Sequence, residues 1–137
     1  RDPRARNPAA ILGDENPPPD GTRIRAYIHV VDLAEAHVAA CRAVSVDVPA
    51  GERVSLILNI GTGRGSSVRE VIDSVSRALG TPLPAQVAPR RAGDPSIGQA
   101  DPALAAQVLG WRSRHDLDDM TASAVASMPW LVANGYL

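Results

Sequence analysis

The sequence predicts an α/β fold with at least two parallel strands. Three observations point there. Apolar segments patterned as strands alternate with segments patterned as helices, in the order strand, helix, strand, helix, strand, helix, helix. Residues 54–60 form a nearly uninterrupted apolar run, as a strand covered on both faces requires. At residues 25–44 an alternating strand pattern passes through an acidic cap directly into a helical one.

Residues 1–9 alternate in charge around two prolines without any period, so a frayed start is expected, with one domain over residues 10–137. Ala10, Ile11 and Leu12 form a short apolar strand closed by Gly13. Pro17, Pro18, Pro19 and the pair Asp20-Gly21 enforce a loop. Residues 25–31 then alternate, with Tyr27 and His29 on one face and Ile28 and Val30 on the other. Asp32 stands as an N-cap, and Glu35 sits at the third helical position, as in a capping box. Leu33, Ala36, Ala40 and Val44 follow at helical spacing, until Pro49 and Gly51 break the helix.

The strand at 54–60 calls for sheet neighbours, and residues 61–67, GTGRGSS, make the turn out of it. An amphipathic helix comes next, with Val68, Val71, Ile72, Val75 and Leu79 facing inward and Gly80 at its end. Pro82 and Pro84 limit the following strand to a sheet edge, and residues 90–101 read as a polar loop. Asp101 caps a short helix whose first position, Pro102, needs no hydrogen-bonded N–H. The last helix is expected over residues 117–128, with the tail 130–137 packing by its aromatics.

At 137 residues the chain has single-domain length, enough to remove roughly two-thirds of its unfolded surface from water. Hydrophobic residues at 45% and charged residues at 21% match a globular chain and exclude a disordered one. A net charge of −1 argues against a nucleic-acid binder, which concentrates positive charge to displace counterions, but leaves room for a small anion held by arginine. All 14 basic residues are arginine and none is lysine, which reads as genomic composition bias more than as function, although arginine does suit bidentate phosphate contacts. The single cysteine, Cys41, falls in an apolar helical stretch and reads as a buried small hydrophobe, and no disulfide can form within the chain. No apolar run approaches the ~20 residues that cross a bilayer, and no charged leader precedes a signal-type core. The expected compartment is the cytoplasm, without a membrane partner.

Chemistry has few places to reside. No Ser-His-Asp or Cys-His arrangement and no metal-ligand spacing stands out. His29 reads either as a general base or as a structural hydrogen-bonding residue, and Asp32 as a cap. The glycines Gly61, Gly63 and Gly65 sit between a strand and a helix, where they either cradle a phosphate or simply turn the chain. They lack the final spacing of the dinucleotide fingerprint.

Four stretches taken together carry more: RAYIHVVDLAEAH at 25–37, NIGTGRGSSVREVI at 59–72, RRAGDP at 90–95 and ADPALAAQVLGW at 100–111. They resemble the C-terminal, substrate-binding part of the UDP-glucose 4-epimerase family, extended short-chain dehydrogenase/reductases of Rossmann type, and the resemblance runs from Ala10 to about Tyr136. It implies a UDP-sugar ligand with Arg25 and Arg91 on the diphosphate and Asp94 on a ribose hydroxyl, roles that suit a guanidinium fork and an acceptor-only carboxylate. It further implies that Ala10, Ile11 and Leu12 lie against the uracil and that Tyr27 flanks the ribose. Val68 either lines the nucleotide or is a core valine. Leu12 stands where the family has an aromatic, Ala26 where it has an aspartate, and Gly98 where a bulkier aromatic often lies near the sugar. The last departure suggests a sugar subsite roomy enough for an N-acetyl group.

In the intact family enzyme NAD takes and returns a hydride while a tyrosine, paired with a lysine four residues on, takes a proton from the C4 hydroxyl. The NAD fingerprint and that pair precede the part resembled, and a lysine-free chain cannot hold the pair. The resemblance thus implies an isomerase of galactose metabolism lacking here its N-terminal NAD-binding half, with no catalytic residue, no bound cofactor and no activity alone. A separate NAD-binding domain or a homodimer partner would complete it. Three other readings stay open: a dehydratase or decarboxylase of the same superfamily, a non-catalytic module that binds UDP-sugars, and a truncated gene product with no role.

Overall fold

The computed structural model describes residues 8–15, 20–45 and 55–135. Its first strand, β1 (Ala9–Leu12), begins one residue inside the segment expected to fray, and residues 1–7 lie outside the described ones. The prolines Pro17, Pro18 and Pro19 also lie outside them.

Two small sheets form, and both contain parallel pairs, which bears out the α/β expectation. In one, β1 runs parallel to β4 (Ala85–Ala88), with Ala9 opposite Ala85 and Leu12 opposite Ala88. Pro84, which has no N–H to give a ladder, sits just ahead of β4 and accepts from the Ala9 N–H at 2.8 Å. Gly13, at φ +81°, ends β1 by donating to Ala88, and its missing side chain lets Arg90 pack close. The second sheet has the order β3-β2-β5, where β2 is Ile24–Ala26, β3 is Gly65–Ser67 and β5 is Ile97–Gly98. β2 is antiparallel to β3 and parallel to β5. Two of these strands were unforeseen: β3 lies in the supposed turn and β5 in the supposed polar loop, where strands this short leave no alternation to detect.

The helix α1 (Val30–Ser45) starts before Asp32, so the expected strand at 25–31 shrinks to β2 and Asp32 is not the cap. His29 takes that duty: its carbonyl accepts from Leu33 at 3.0 Å, and its Nδ1 accepts from the Val31 N–H at 3.1 Å. Glu35 therefore forms no capping box and pairs with Arg114. The helix α2 (Val68–Leu79) follows the sequence closely, from a Ser67/Glu70 capping box to Gly80 in the left-handed conformation. A polar knot joins it to α4 (Leu117–Ala133): the buried Ser74 Oγ lies 2.6 Å from Thr121 Oγ1 and 2.5 Å from Asp118 Oδ1. Hydrogen bonds from Ser74 and Arg77 hold the Asp118 carboxyl below the usual carboxylate range. Between them, α3 (Ala103–Leu109) opens where Asp101 accepts from the Ala103 N–H at 2.9 Å. α4 runs past the expected end at Met128 and through Pro129, so Trp130 lies on the helix, 61% exposed, and does not pack as a tail. Tyr136 and Leu137 lie outside the described residues.

The core is slight. Ala36 of α1, Ala105 of α3 and Trp111 are buried together, with Ile28, Ala39, Leu58, Ile60 and Leu109 packed around them. Residues 55–60 make no strand pairing and Ile57 is 91% exposed, which overturns the expected strand covered on both faces; Val54 lies outside the described residues. Cys41 is likewise exposed, not buried. Apolar surface that the sequence pattern marks for burial stays open to solvent.

Candidate functional site

The C-terminal end of β1, the strand β2, the start of α2 and the loop ahead of β5 converge on a pocket of about 160 Å³ lined by Ala10, Leu12, Gly13, Arg23, Arg25, Val68 and Asp94. Five residues singled out in the sequence meet here: Ala10, Leu12, Arg25, Val68 and Asp94. Strand alternation explains which part of the β1 run takes part: Ala10 and Leu12 face the pocket, and Ile11 points into the interior.

Asp94 is the electrostatic centre. Arg23 Nη1 reaches its Oδ2 at 2.7 Å and Arg25 Nη2 reaches its Oδ1 at 2.7 Å. Two guanidiniums on one carboxylate leave one net positive charge, so the pocket favours an anion. Arg25 also donates to the Ile24 carbonyl at 2.8 Å and the Pro95 carbonyl at 2.8 Å, and lies across Gly98, its partner in the parallel register. Arg91 joins this side of the molecule through its backbone, whose carbonyl accepts from Arg23 Nη2 at 3.2 Å. Its exposed guanidinium forms no ion pair among the described residues. Arg23 escaped the sequence reading although a signal for it existed: it stands two residues before Arg25, the spacing that puts side chains on one face of an extended chain.

The approach to β2 is fixed to the start of α2. Asp20 accepts from the Thr22 N–H at 2.8 Å, from the Thr22 hydroxyl at 2.6 Å and from the Ser67 hydroxyl. Burial pushes the Asp20 carboxyl up, but the bonds from Ser67 and Thr22, with Arg69 nearby, outweigh it and hold it below the usual range. This knot keeps Arg23, Arg25 and Val68 in one mutual geometry.

Tyr27 does not join that pocket. It lines a separate cleft of about 470 Å³ with Arg64, Arg114 and His115. His29 has a structural role: its Nδ1 accepts from Val31, so the proton sits on Nε2 and points to Ser123 Oγ at 2.9 Å. Such a histidine cannot draw a proton from Ser123, and the general-base option falls. The glycine-rich segment offers no phosphate cradle either. The first N–H groups of α2 are already engaged, Val68 with the Arg23 carbonyl at 3.1 Å, Arg69 with the Thr22 hydroxyl at 3.4 Å and Glu70 with the Ser67 hydroxyl at 3.1 Å. The described residues thus do not fit the pyrophosphate of a dinucleotide at that turn. Nor do they hold any cluster of three or more His, Cys, Asp or Glu suited to a metal ion, or a helix long and apolar enough to cross a membrane.

In sequence and structure the chain is similar to a portion of the nucleotide-sugar epimerases, extended short-chain dehydrogenase/reductases of Rossmann type. Within that class the chain corresponds to about a third of a UDP-glucose 4-epimerase, a share consistent with a C-terminal portion. It is 48% identical over 130 residues to the UDP-glucose 4-epimerase of Neisseria meningitidis serogroup B, an alignment that covers 93% of this chain and 36% of that protein. It superposes on the crystal structure of the Bifidobacterium longum UDP-glucose 4-epimerase in complex with NAD+ and UDP with a TM-score of 0.82 and 38% identity, over 96% of this chain and 37% of the other. For the Brucella ovis UDP-glucose 4-epimerase in complex with NAD the TM-score is 0.76 and the identity 43%, over 86% and 36%. No protein-family model matches the chain.

Proposed function

We propose that this chain is the UDP-sugar-holding, C-terminal portion of a UDP-glucose 4-epimerase, the isomerase that interconverts UDP-glucose and UDP-galactose in galactose metabolism, acting in the cytoplasm. The observation that carries the reading is the meeting of Ala10, Leu12, Val68, Arg25 and Asp94 in one pocket. Ala10, Leu12 and Val68 offer an apolar wall for the uracil. Arg25, with Arg91 swinging in from the exposed loop, takes the diphosphate, and Asp94 accepts from a ribose hydroxyl.

The pocket's 160 Å³ is about half the smallest usual ligand site, so a whole nucleotide sugar needs a second wall. An open apolar groove of about 510 Å³ that includes Ala36, Cys41, Val44, Leu56 and Leu58 supports the same conclusion. A separate NAD-binding portion would supply that wall. It would also bring the tyrosine and lysine, since no lysine is available here, and the NAD that takes and returns the hydride. This chain's own part is to bind and orient the sugar nucleotide, and alone it would be inactive.

Calorimetric titration of the chain with UDP tests the reading directly. Binding in the micromolar to millimolar range, weakened at least about tenfold by Arg25→Ala, is expected. Mixing with the NAD-binding portion of a UDP-glucose 4-epimerase should then restore 4-epimer formation, whereas a 4-keto-6-deoxy sugar or a pentose would point to a dehydratase or decarboxylase. No detectable UDP binding overturns the proposal.

A further inference from the structure

Arg23 is the residue of the pocket that nothing above explains. Its side chain is only 5% exposed, against 27% for Arg25 and 27% for Asp94. Its Nη1 is paired with Asp94 and its Nη2 donates to the Arg91 carbonyl at 3.2 Å, which together hold the guanidinium back from a ligand. Its Nε is buried without an acceptor. A guanidinium buried to that degree with one donor unanswered is a poor ion pair for stability alone.

The division of Asp94 between two arginines gives it another purpose. Oδ2 belongs to the buried Arg23 and Oδ1 to the more exposed Arg25. A diphosphate that recruits Arg25 must pull it off Asp94. Were Arg25 the sole partner, that exchange would strand a partly buried carboxylate without a counter-ion, and Asp94 would compete with the ligand. With Arg23 in place, Asp94 keeps one guanidinium throughout, and Arg25 trades one anionic partner for another.

We infer that Arg23 is the resident counter-ion of Asp94, a positioning residue that releases Arg25 to the diphosphate without touching the ligand itself. The inference rests on the UDP-sugar reading of this pocket and extends it to a residue whose role that reading leaves open.

A double-mutant cycle tests it on the full chain, with UDP and uridine as probes and thermal melting as the check on folding. Arg23→Gln should weaken UDP about tenfold or more and uridine less than about twofold, because only the diphosphate needs Arg25 released. In an Asp94→Asn background, where no carboxylate holds Arg25 back, the penalty of Arg23→Gln on UDP should shrink to about twofold or less. Arg23→Lys, which keeps a counter-ion beside Asp94, should stay within about threefold of the parent and serves as the deciding variant if the glutamine protein does not fold. An equal penalty in both backgrounds, an equal loss for uridine, a lysine variant as weak as the glutamine one, or no loss at all overturns the inference while leaving UDP binding intact. A parent chain that does not bind UDP overturns the functional reading, and the inference with it.

Discussion

His115 Nδ1 donates to Asp32 Oδ1 at 2.8 Å across 83 residues of chain, while Asp32 Oδ2 accepts from the backbone N–H groups of Arg114 at 3.1 Å and His115 at 3.0 Å. The carboxylate is fully buried, at 0% exposure, and ties the first turn of α1 to the segment between α3 and α4. The His115 ring in turn stacks on His29, with centroids 4.3 Å apart. These side chains, with His29 Nε2 2.9 Å from Ser123 Oγ, link the start of α1 to the start of α4.

Asp32 should therefore make stability fall in acid. Burial pushes its carboxyl up, but the bonds from His115 and Arg114 outweigh burial and hold it below the ordinary 3.8. The unfolded chain then binds the proton more readily than the folded one. The stabilisation is complete above the unfolded value and drains away as pH falls from there through the lowered folded value. Asp32→Asn is expected to cost about 1–3 kcal/mol at neutral pH. In melting curves from pH 7 to pH 3 the gap between parent and variant should narrow at the acid end. A gap independent of pH refutes the assignment.

How far the sequence revealed all this depended on the range of the interactions involved. The helix α2 was legible from Ser67 to Gly80 because its caps and apolar face are local signals. Asp32 looked like a cap for the same reason, since acidic residues before an apolar run usually are. It is instead the acceptor of donors 82 and 83 residues away, which no local pattern encodes. The apolar run at 54–60 reads as a strand in want of sheet neighbours, yet residues 55–60 pair with none among the described residues, because period and hydropathy do not say which chain supplies the neighbour. Cys41 failed in the same way. In the pocket, Arg25, Asp94 and Ala10 came from resemblance, whereas Arg23 needed coordinates to show that it shares Asp94.

Gly65 gives a packing test independent of any ligand. It faces Ala26 across the β2–β3 pair, and a Cβ there would lie 2.3 Å from Ile24 Cγ2, closer than any real contact. Gly65→Ala should force β3 off β2 and cost about 1–3 kcal/mol in denaturant melts. Gly61, where an added Cβ meets nothing within 4 Å, is the control and should tolerate alanine with little change. Equal effects at both positions would contradict the pairing.

Gly98 bears on sugar choice. It pairs with Arg25 in the parallel register, and an added Cβ would lie 3.4 Å from Arg25 Cδ, an ordinary contact, so a side chain can be introduced. If the space over Gly98 belongs to the sugar subsite, the chain should accept UDP-N-acetylglucosamine about as well as UDP-glucose in competition binding. Gly98→Tyr should then disfavour the acetylated sugar by about tenfold relative to UDP-glucose. Strong rejection of UDP-N-acetylglucosamine by the parent chain ends this idea.

Ile57 separates a surface awaiting a partner from a badly packed core. At 91% exposure it makes almost no use of its apolar side chain, although it stands in the run leading to Leu58 and Ile60, which pack against Ala36, Ala105 and Trp111. Replacing an exposed residue removes no internal packing, so Ile57→Asp should leave folding stability within about 0.5 kcal/mol of the parent. Against an added NAD-binding portion the same change buries a charge where an apolar contact is required, and association should weaken by at least about tenfold, with restored epimerase activity falling in step. Loss of folding in the variant would mean that Ile57 already serves this chain's own core. Undiminished association would mean that the partner sits elsewhere, and the covering role assigned to it here would have to pass to another face.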